Sequence, residues 1–193
     1  MLDFDERYLV RKSYYLTGTG KMGQSLTAGA AALVGTDSVK LPCTGHGLPV
    51  GAVIFIAGTT NYNGYHTLTA VGTDDFTFVG TYIAETMKND GTETVTHRLL
   101  PGELFRLVEV RLHLDAAPST GSDNFIFTID SGEDAVYDAI LETQDMNSLA
   151  DYNKSWGKNA CHHMKSTDAL IFAWANAESK TWGLEVIYDA MQA

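Results

Sequence analysis

The chain has 193 residues, of which 45% are hydrophobic and 19% charged, with 18 glycines, 4 prolines and a net charge of −11. This composition excludes a disordered chain and is typical of a globular protein with many tight turns between short strands. The acidic balance argues against direct nucleic-acid contact, which needs a basic face. The longest basic run is Arg11-Lys12.

No stretch approaches the roughly 18 apolar residues that a membrane span requires, so no membrane partner is expected. The first residues, Met1 to Glu6, are acidic and lack the apolar region of a signal peptide. Synthesis in a cytoplasm is therefore predicted. Cys43 and Cys161 belong to no CxxC pair, which favours two free thiols over a disulfide.

Residues 1–36 have the least regular pattern in the chain. The stretch 17–35 is small, glycine-rich and without a clear hydrophobic period. It predicts an irregular N-terminal arm over 1–36. Two interpretations stay open, an irregular edge on the surface of its own domain and an arm that lies on a neighbouring subunit.

Residues 37–99 are predicted to form a small β-barrel-like module. Dense β-branched runs and period-2 alternation indicate short strands that follow one another as a meander. Between two of them, the turn residues Asn63-Gly64 can supply the positive φ angles of a tight turn. The predicted strands are 38–41, 50–57, 65–71 and 76–79.

Residues 101–193 are predicted to form a second β domain, which begins after the boundary Leu100-Pro101-Gly102. Apolar and polar residues alternate strictly over 108–115, as in a half-buried strand. The stretch 144–158 is polar and is predicted to be an ordered loop. The further predicted strands are 125–129, 137–142, 169–175 and 181–188. For 137–142 a helix stays open, because alanine and glutamate are compatible with one. Together these features predict an all-β chain that ends in a jelly-roll-like β-sandwich.

Two motifs suggest a ligand but lack the context that such a ligand needs. Gly18 to Gly23 matches GxGxxG, yet no βαβ pattern surrounds it, so no dinucleotide cofactor is expected. Cys161-His162-His163 could suggest a metal. Adjacent strand residues point to opposite faces and the usual second ligand pair is missing, so no metal is predicted.

An acidic cluster surrounds Gly132 but matches no known catalytic or calcium-binding order. Scattered carboxylates in so acidic a chain are a weak indication of a glycosidase pair. We therefore assign no catalytic residue and predict a non-enzymatic protein. The cluster consists of Asp130, Glu133, Asp134 and Asp138.

Aromatic and histidine side chains in predicted loops are candidates for an interface. Exposed aromatic side chains in loops serve protein interfaces or stack on glycans, and a protein interface is the favoured interpretation. The predicted interface residues are Tyr14, Tyr15, Tyr62, Tyr152, Trp156, His162 and His163.

One pattern resembles a known family. Gly45-His46-Gly47-Leu48, then the run from Gly51 to Thr60, then Tyr62-Asn63-Gly64-Tyr65 and Phe76-Thr77-Phe78 resemble a β-module recurrent in virion proteins of tailed bacteriophages. This similarity covers about residues 37–82. The second half, with Trp174-Ala175-Asn176 and Trp182-Gly183-Leu184, resembles the β-sandwich of small phage head or tail proteins.

The resemblance implies a virion structural protein made in the host bacterial cytoplasm. A capsid decoration (cement) protein is favoured, which would bind the outer shell and reinforce contacts between copies of the major capsid protein. Its implied partners are that protein and copies of itself, commonly as a homotrimer. The alternative is a tail or head-fibre component, with a glycan-binding sandwich around Tyr152 to Trp156. The family has no active site to transfer.

Overall fold

The computed structural model describes residues 9–119, 123–133, 135–157 and 162–191. These residues form an all-β, sandwich-like fold of antiparallel sheets, which confirms the predicted fold class. No helix in this part of the chain is long and apolar enough to cross a membrane. The strands are β1 (Leu9–Gly18), β2 (Gln24–Ser25), β3 (Gly29–Ala30), β4 (Ala32–Val34), β5 (Ser38–Pro42), β6 (Val53–Ala57), β7 (Gly64–Val71), β8 (Asp75–Val79), β9 (Thr86–Met87), β10 (Thr94–Leu99), β11 (Phe105–Leu114), β12 (Asn124–Asp130), β13 (Ala139–Asp145), β14 (Asp151–Ser155), β15 (His163–Met164), β16 (Ala169–Trp174) and β17 (Trp182–Met191).

The chain divides into two compact units. One transition between them, at Arg98 and Leu99, lies beside the boundary predicted at 100, whereas no transition lies at 36 and those at 17/18, 171/172 and 179/180 have no predicted counterpart. Unit 1 comprises the described residues within Met1–Thr17, Leu99–Ile171 and Lys180–Ala193. Unit 2 comprises Gly18–Arg98 and Phe172–Ser179. Both units are discontinuous in sequence. A local change of composition marks the boundary near residue 100, but it cannot show that the later segment 172–179 belongs to unit 2.

Unit 1 contains a sheet in the order β1-β17-β11-β14, with β15 also paired to β11. The long strand β11 pairs with β17 from Phe105 to Leu114, with one register shift after Leu107. A second layer contains β12 and its antiparallel neighbour β13. Phe125 of β12 meets Tyr152 of β14 edge to face at 6.0 Å, so the inward faces of the two layers pack together.

Two segments of unit 1 differ from the sequence prediction. Residues 9–18 form strand β1 where an irregular arm was predicted, because their pairing partner β17 lies at the other end of the chain. Residues 151–155 form strand β14 inside the stretch predicted as a loop. Only Tyr152 supplies an apolar inward side chain there, so local hydrophobicity gave no strand signal.

Unit 2 is built around the predicted meander, with strand order β10-β6-β7-β8-β5-β4. The strands predicted at 38–41, 50–57, 65–71 and 76–79 correspond to β5, β6, β7 and β8. Short strand β2 pairs with β10, and β3 pairs with β9. The core is a cluster of fully buried side chains that includes Val39, Leu41, Ile54, Ile56, Phe76 and Phe78.

Cys43 belongs to this core as a free, buried thiol. Burial raises its pKa to about 12, because a thiolate would lose its hydration there. Gln24 donates a hydrogen bond to its Sγ at 3.1 Å. Cys43 therefore packs as a small apolar residue. Cys161 lies outside the described residues.

Candidate interaction surfaces

Tyr62, which was predicted to lie at an interface, lies in the interior of unit 2, where only 3% of it is exposed. Its hydroxyl donates to the carbonyl of Ile83 and accepts from the Ile83 amide at 3.0 Å. Its ring meets Phe78 edge to face. A side chain enclosed in this way offers no surface to a partner, so Tyr62 is removed from the interface candidates.

Four other candidates are half-buried within unit 1, namely Tyr14, Tyr152, Trp156 and His162. The Trp156 ring lies 5.9 Å from both Phe127 and His162, each in an edge-to-face contact. Burial, followed by the nearby His163, lowers the pKa of His162. Of these four, Tyr152 and Trp156 join the layers of the unit through their contacts with Phe125 and Phe127 of β12.

Tyr15 and His163 are the interface candidates that the structure leaves open to solvent. His163 lies on β15 opposite Arg106. Tyr15 is 67% exposed on β1, and its hydroxyl donates to the Glu185 Oε1 atom at 2.8 Å. Of the seven predicted interface residues, two are therefore exposed. Of these two, Tyr15 has a hydrogen bond to a neighbouring carboxylate, that of Glu185.

His46 of the phage-like motif fixes a turn in unit 2. Its Nε2 lies 3.1 Å from the carbonyl oxygen of Gly72 and 3.0 Å from that of Asp75, while the Leu48 amide donates to Nδ1 at 2.9 Å. Carbonyl oxygens only accept, so the proton is on Nε2. The buried imidazole thus joins the loop after β5 to the β7–β8 turn.

The segment Asn61 to Tyr65 holds its turn by a different device from the one predicted. Asn63 does not have a positive φ; only Gly64 does, at 127°. The Asn63 Oδ1 instead accepts from the amide and hydroxyl of Thr59, and its Nδ2 donates to the Thr59 carbonyl at 2.7 Å. An asparagine can close a turn through its side chain without entering the left-handed region.

Glu85 holds the outer side of that turn. Its carboxylate accepts from the amides of Thr60 and Asn61. Burial raises the pKa of Glu85, but these hydrogen bonds outweigh it and leave the pKa below its usual value. In the motif that resembles the phage module, the polar groups of His46, Asn63 and Glu85 thus form hydrogen bonds within unit 2 and stabilise its turns.

Unit 2 also presents an apolar depression that the sequence prediction missed. Its volume is about 450 Å³, and Leu33, Val79 and Tyr82 line it. Leu33 lies on β4, the last strand in the order of its sheet, and Val79 ends β8. Neighbouring Val34 and Ile83 are exposed as well. Clustered apolar side chains of this kind mark surfaces that bind other proteins.

Unit 1 has a second exposed apolar group at strand β13. Val136 and Tyr137 lie in a single 3-10 turn before this strand, and Ile140 lies within it; all three are largely exposed. β13 pairs with β12 and stands at the end of its strand order, so its outer edge meets no other described strand. A free edge with exposed apolar side chains can pair with another chain.

The outward face of the sheet β1-β17-β11-β14 carries a continuous polar network. Arg111 donates to both oxygens of Glu109 at 2.9 Å and to Glu185 Oε2 at 3.0 Å. Asn153 donates to Glu109 Oε1 at 2.6 Å, and Tyr15 completes the network at Glu185. Hydrogen bonds from Arg111, which outweigh a smaller effect of burial, lower the pKa of Glu109. This network links all four strands β1, β17, β11 and β14.

The acidic cluster near Gly132 is a turn that its own carboxylates stabilise. Asp138 accepts from the Ser131 amide and Asp130 from the Gly132 amide, each at 3.0 Å. Asp134 lies outside the described residues. Among the described residues, no group of three or more His, Cys, Asp or Glu side chains is placed to hold a metal ion.

Comparisons of the chain with family models, with curated proteins and with solved structures each found no match.

Proposed function

We propose that this protein is a structural component of a tailed-phage virion, a capsid decoration protein that binds the outer shell and stabilises it. The motif between residues 37 and 82 supports the virion setting. The observation that carries the binding role is the apolar depression of unit 2, with Leu33, Val79 and Tyr82 around it. No catalytic role is proposed.

The proposed partner at this depression is the major capsid protein. Burial of exposed valine, leucine and tyrosine side chains provides about 25 cal/mol per Å² of apolar area. A stable contact also needs a complementary partner surface that extends beyond the depression, because association itself costs free energy. The net charge of −11 favours a partner with a basic surface. Copies of the chain itself are the second proposed partner, joined through the free edge of β13.

The test uses capsids of the encoding phage assembled without this chain, to which purified protein is added. We expect co-sedimentation with the capsids and a higher temperature of capsid rupture. Val79→Asp should weaken binding at least tenfold by placing a charge in the apolar contact. Val50→Asp is the matched control, since Val50 and Val79 are both 61% exposed and Val50 does not line the depression.

Capsids that neither bind the protein nor gain heat resistance would refute the decoration role. Equal binding by both aspartate variants would show that the depression is not the contact. Copy number per virion separates shell from tail, because an icosahedral shell offers on the order of hundreds of equivalent positions and a tail only a few.

The alternative proposal is a tail or head-fibre component that binds a glycan. The observation that favours it is the exposed Tyr15 beside the polar network of unit 1. The stretch Tyr152 to Trp156, where a glycan site was first expected, turns Tyr152 and Trp156 toward Phe125 and Phe127 instead.

A further inference from the structure

We propose that the outward face of the sheet β1-β17-β11-β14 binds a neutral saccharide chain over Gly183, beside Tyr15. This inference rests on the alternative proposal of glycan binding by unit 1, for which it names the site and the class of sugar, and it does not depend on capsid binding by unit 2. The face contains an open depression of about 400 Å³, within the usual range for ligand sites. Tyr15, Arg111, His113, Asp151, Asn153 and Gly183 are among the residues that line it.

Gly183 is the residue that points to a ligand. Glycine inside a strand weakens it, and it usually marks a bulge, a bend or the close approach of another backbone or a ligand. The register around Gly183 is regular, with Leu184 and Trp182 paired in sequence to Leu112 and Leu114. Its φ is not positive, and a Cβ atom there would meet nothing within 4 Å. The regular register excludes a bulge, and the open space excludes the close approach of another part of the chain, so this position leaves room for a ligand.

Cross-strand register places the polar groups around this gap on one face. Gly183 lies opposite His113, which lies opposite Asp151 on its other side. Two residues along, Glu185 lies opposite Arg111, which lies opposite Asn153. Residues directly opposite and residues two apart share a face of a sheet. The gap at Gly183 is therefore bordered by two rows of polar side chains.

These side chains are held in place before any ligand arrives. His113 Nδ1 lies 2.6 Å from Asp151 Oδ1, and Arg111 is fixed between Glu109 and Glu185. Side chains fixed in this way lose little conformational entropy on binding. Cross-strand ion pairs alone would contribute only modestly to stability at so exposed a position, and they would not explain the glycine.

The chemistry of the lining favours a neutral sugar. Carboxylates accept hydrogen bonds, while guanidinium and amide groups donate them, and sugar hydroxyls can do both. The exposed Tyr15 ring offers an apolar surface with a polar tip, which suits the carbon face of a pyranose. Two carboxylates, Asp151 and Glu185, line the depression with one arginine, and in a chain of charge −11 this balance disfavours an acidic polysaccharide.

A peptide fits this face less well. Strands β17 and β11 each pair with neighbours on both sides, so a peptide cannot add as a further strand here. An open depression on a sheet face instead leaves room for sugar rings.

The probe is an array of neutral hexose and N-acetylhexosamine oligosaccharides, with acidic oligosaccharides on the same array, followed by calorimetry with the best neutral ligand. We expect the full chain to bind a subset of the neutral glycans. Gly183→Leu should fill the gap without strain and lower affinity at least tenfold, with an unchanged circular dichroism spectrum. Tyr15→Ala should lower affinity by a similar factor.

Tyr137→Ala is the matched control, because Tyr137 is also 67% exposed and lies outside this face. It should bind like the unaltered protein. The proposal is overturned if no neutral glycan binds, if only acidic glycans bind, or if Gly183→Leu binds normally. If Gly183→Leu fails to fold, Tyr15→Ala against Tyr137→Ala decides the question, and equal affinities refute the proposal. Capsid binding is measured separately, so either proposal can fail alone.

Discussion

Gly47 and Gly20 lie backbone to backbone in unit 2, so closely that a Cβ atom on Gly47 would stand 2.0 Å from the Gly20 amide nitrogen. A Cβ on Gly20 would in turn lie 2.4 Å from the carbonyl oxygen of His46. The GxGxxG match and the phage-like HGL motif thus meet, and the glycine at position 20 allows two loops to touch. Asn176 fixes the loop that contains Gly20 by donating to the carbonyls of Thr19 and Gly20.

We expect Gly47→Ala to destabilise the protein by about 3 kcal/mol or more, because it adds a left-handed alanine to a steric overlap. Chemical denaturation followed by tryptophan fluorescence measures this loss. Gly45→Ala is the control: φ is 65° at Gly45 and 57° at Gly47, but a Cβ at Gly45 meets nothing within 4 Å. It should cost about 1 kcal/mol. Equal losses would mean that the loop contact is loose.

His97 makes the stability of unit 2 depend on pH. It is 1% exposed on β10, and burial lowers its pKa from 6.5 to about 4. Between these values the unfolded chain binds a proton that the folded chain does not. Stability is therefore fully present above pH 6.5 and falls as the pH drops toward 4, by on the order of 3 kcal/mol.

The measurement is the free energy of unfolding of the unaltered protein and of His97→Leu across this pH range. The difference in unfolding free energy between the two proteins should change with pH between 6.5 and 4. Taking the difference cancels the contribution of His66, which both proteins contain and whose pKa is also lowered by burial. A flat difference would show that His97 does not titrate in this way.

Asp189 on β17 neutralises the charge of the buried Arg106. It is 5% exposed and accepts from Arg106 Nε at 2.9 Å, with Arg11 as a second donor. Burial raises the pKa of Asp189, but the hydrogen bonds from both arginines outweigh it and leave the pKa below its usual value. Asp189→Asn should cost about 3 kcal/mol, since it removes a carboxylate that neutralises the buried Arg106.

Arg11→Ala provides the comparison for Asp189. The Arg11 side chain is 59% exposed, so its loss should cost less than about 1 kcal/mol. Urea denaturation of both variants measures the two values. A small loss for Asp189→Asn would indicate that solvent reaches Arg106 and replaces the carboxylate.

Ile140 tests the proposed self-association through β13. Ile140→Lys places a charge on the free edge, which disfavours pairing with a second chain. Sedimentation velocity should show an oligomer for the unaltered protein and a smaller species for this variant. Val50→Lys, on an exposed loop of unit 2, should leave the oligomer intact. A monomeric unaltered protein, or an unchanged Ile140→Lys, would contradict the proposed edge contact.

The candidate sites show where local patterns stop being informative. Tyr62 and Trp156 lie in segments rich in turn residues, which predicted exposure, yet their rings pack against Phe78 and Phe127. The apolar depression around Leu33 and Val79 was missed because its residues come from segments far apart in the chain. The sequence shows that Gly183 is a glycine within a predicted strand, but only the structure shows the open space above it, on which the proposed saccharide site rests.

The sequence by itself determined the all-β class and most strands, because side-chain alternation and turn residues act over a few neighbouring positions. Strands β5 to β8, β11, β12 and β16 follow from such patterns. The tertiary structure alone decided that β1 pairs with β17, that the polar stretch contains β14, and that 172–179 belongs to unit 2. Strand pairing joins residues that lie far apart in the chain, and its register depends on both partners, so neither segment specifies it alone.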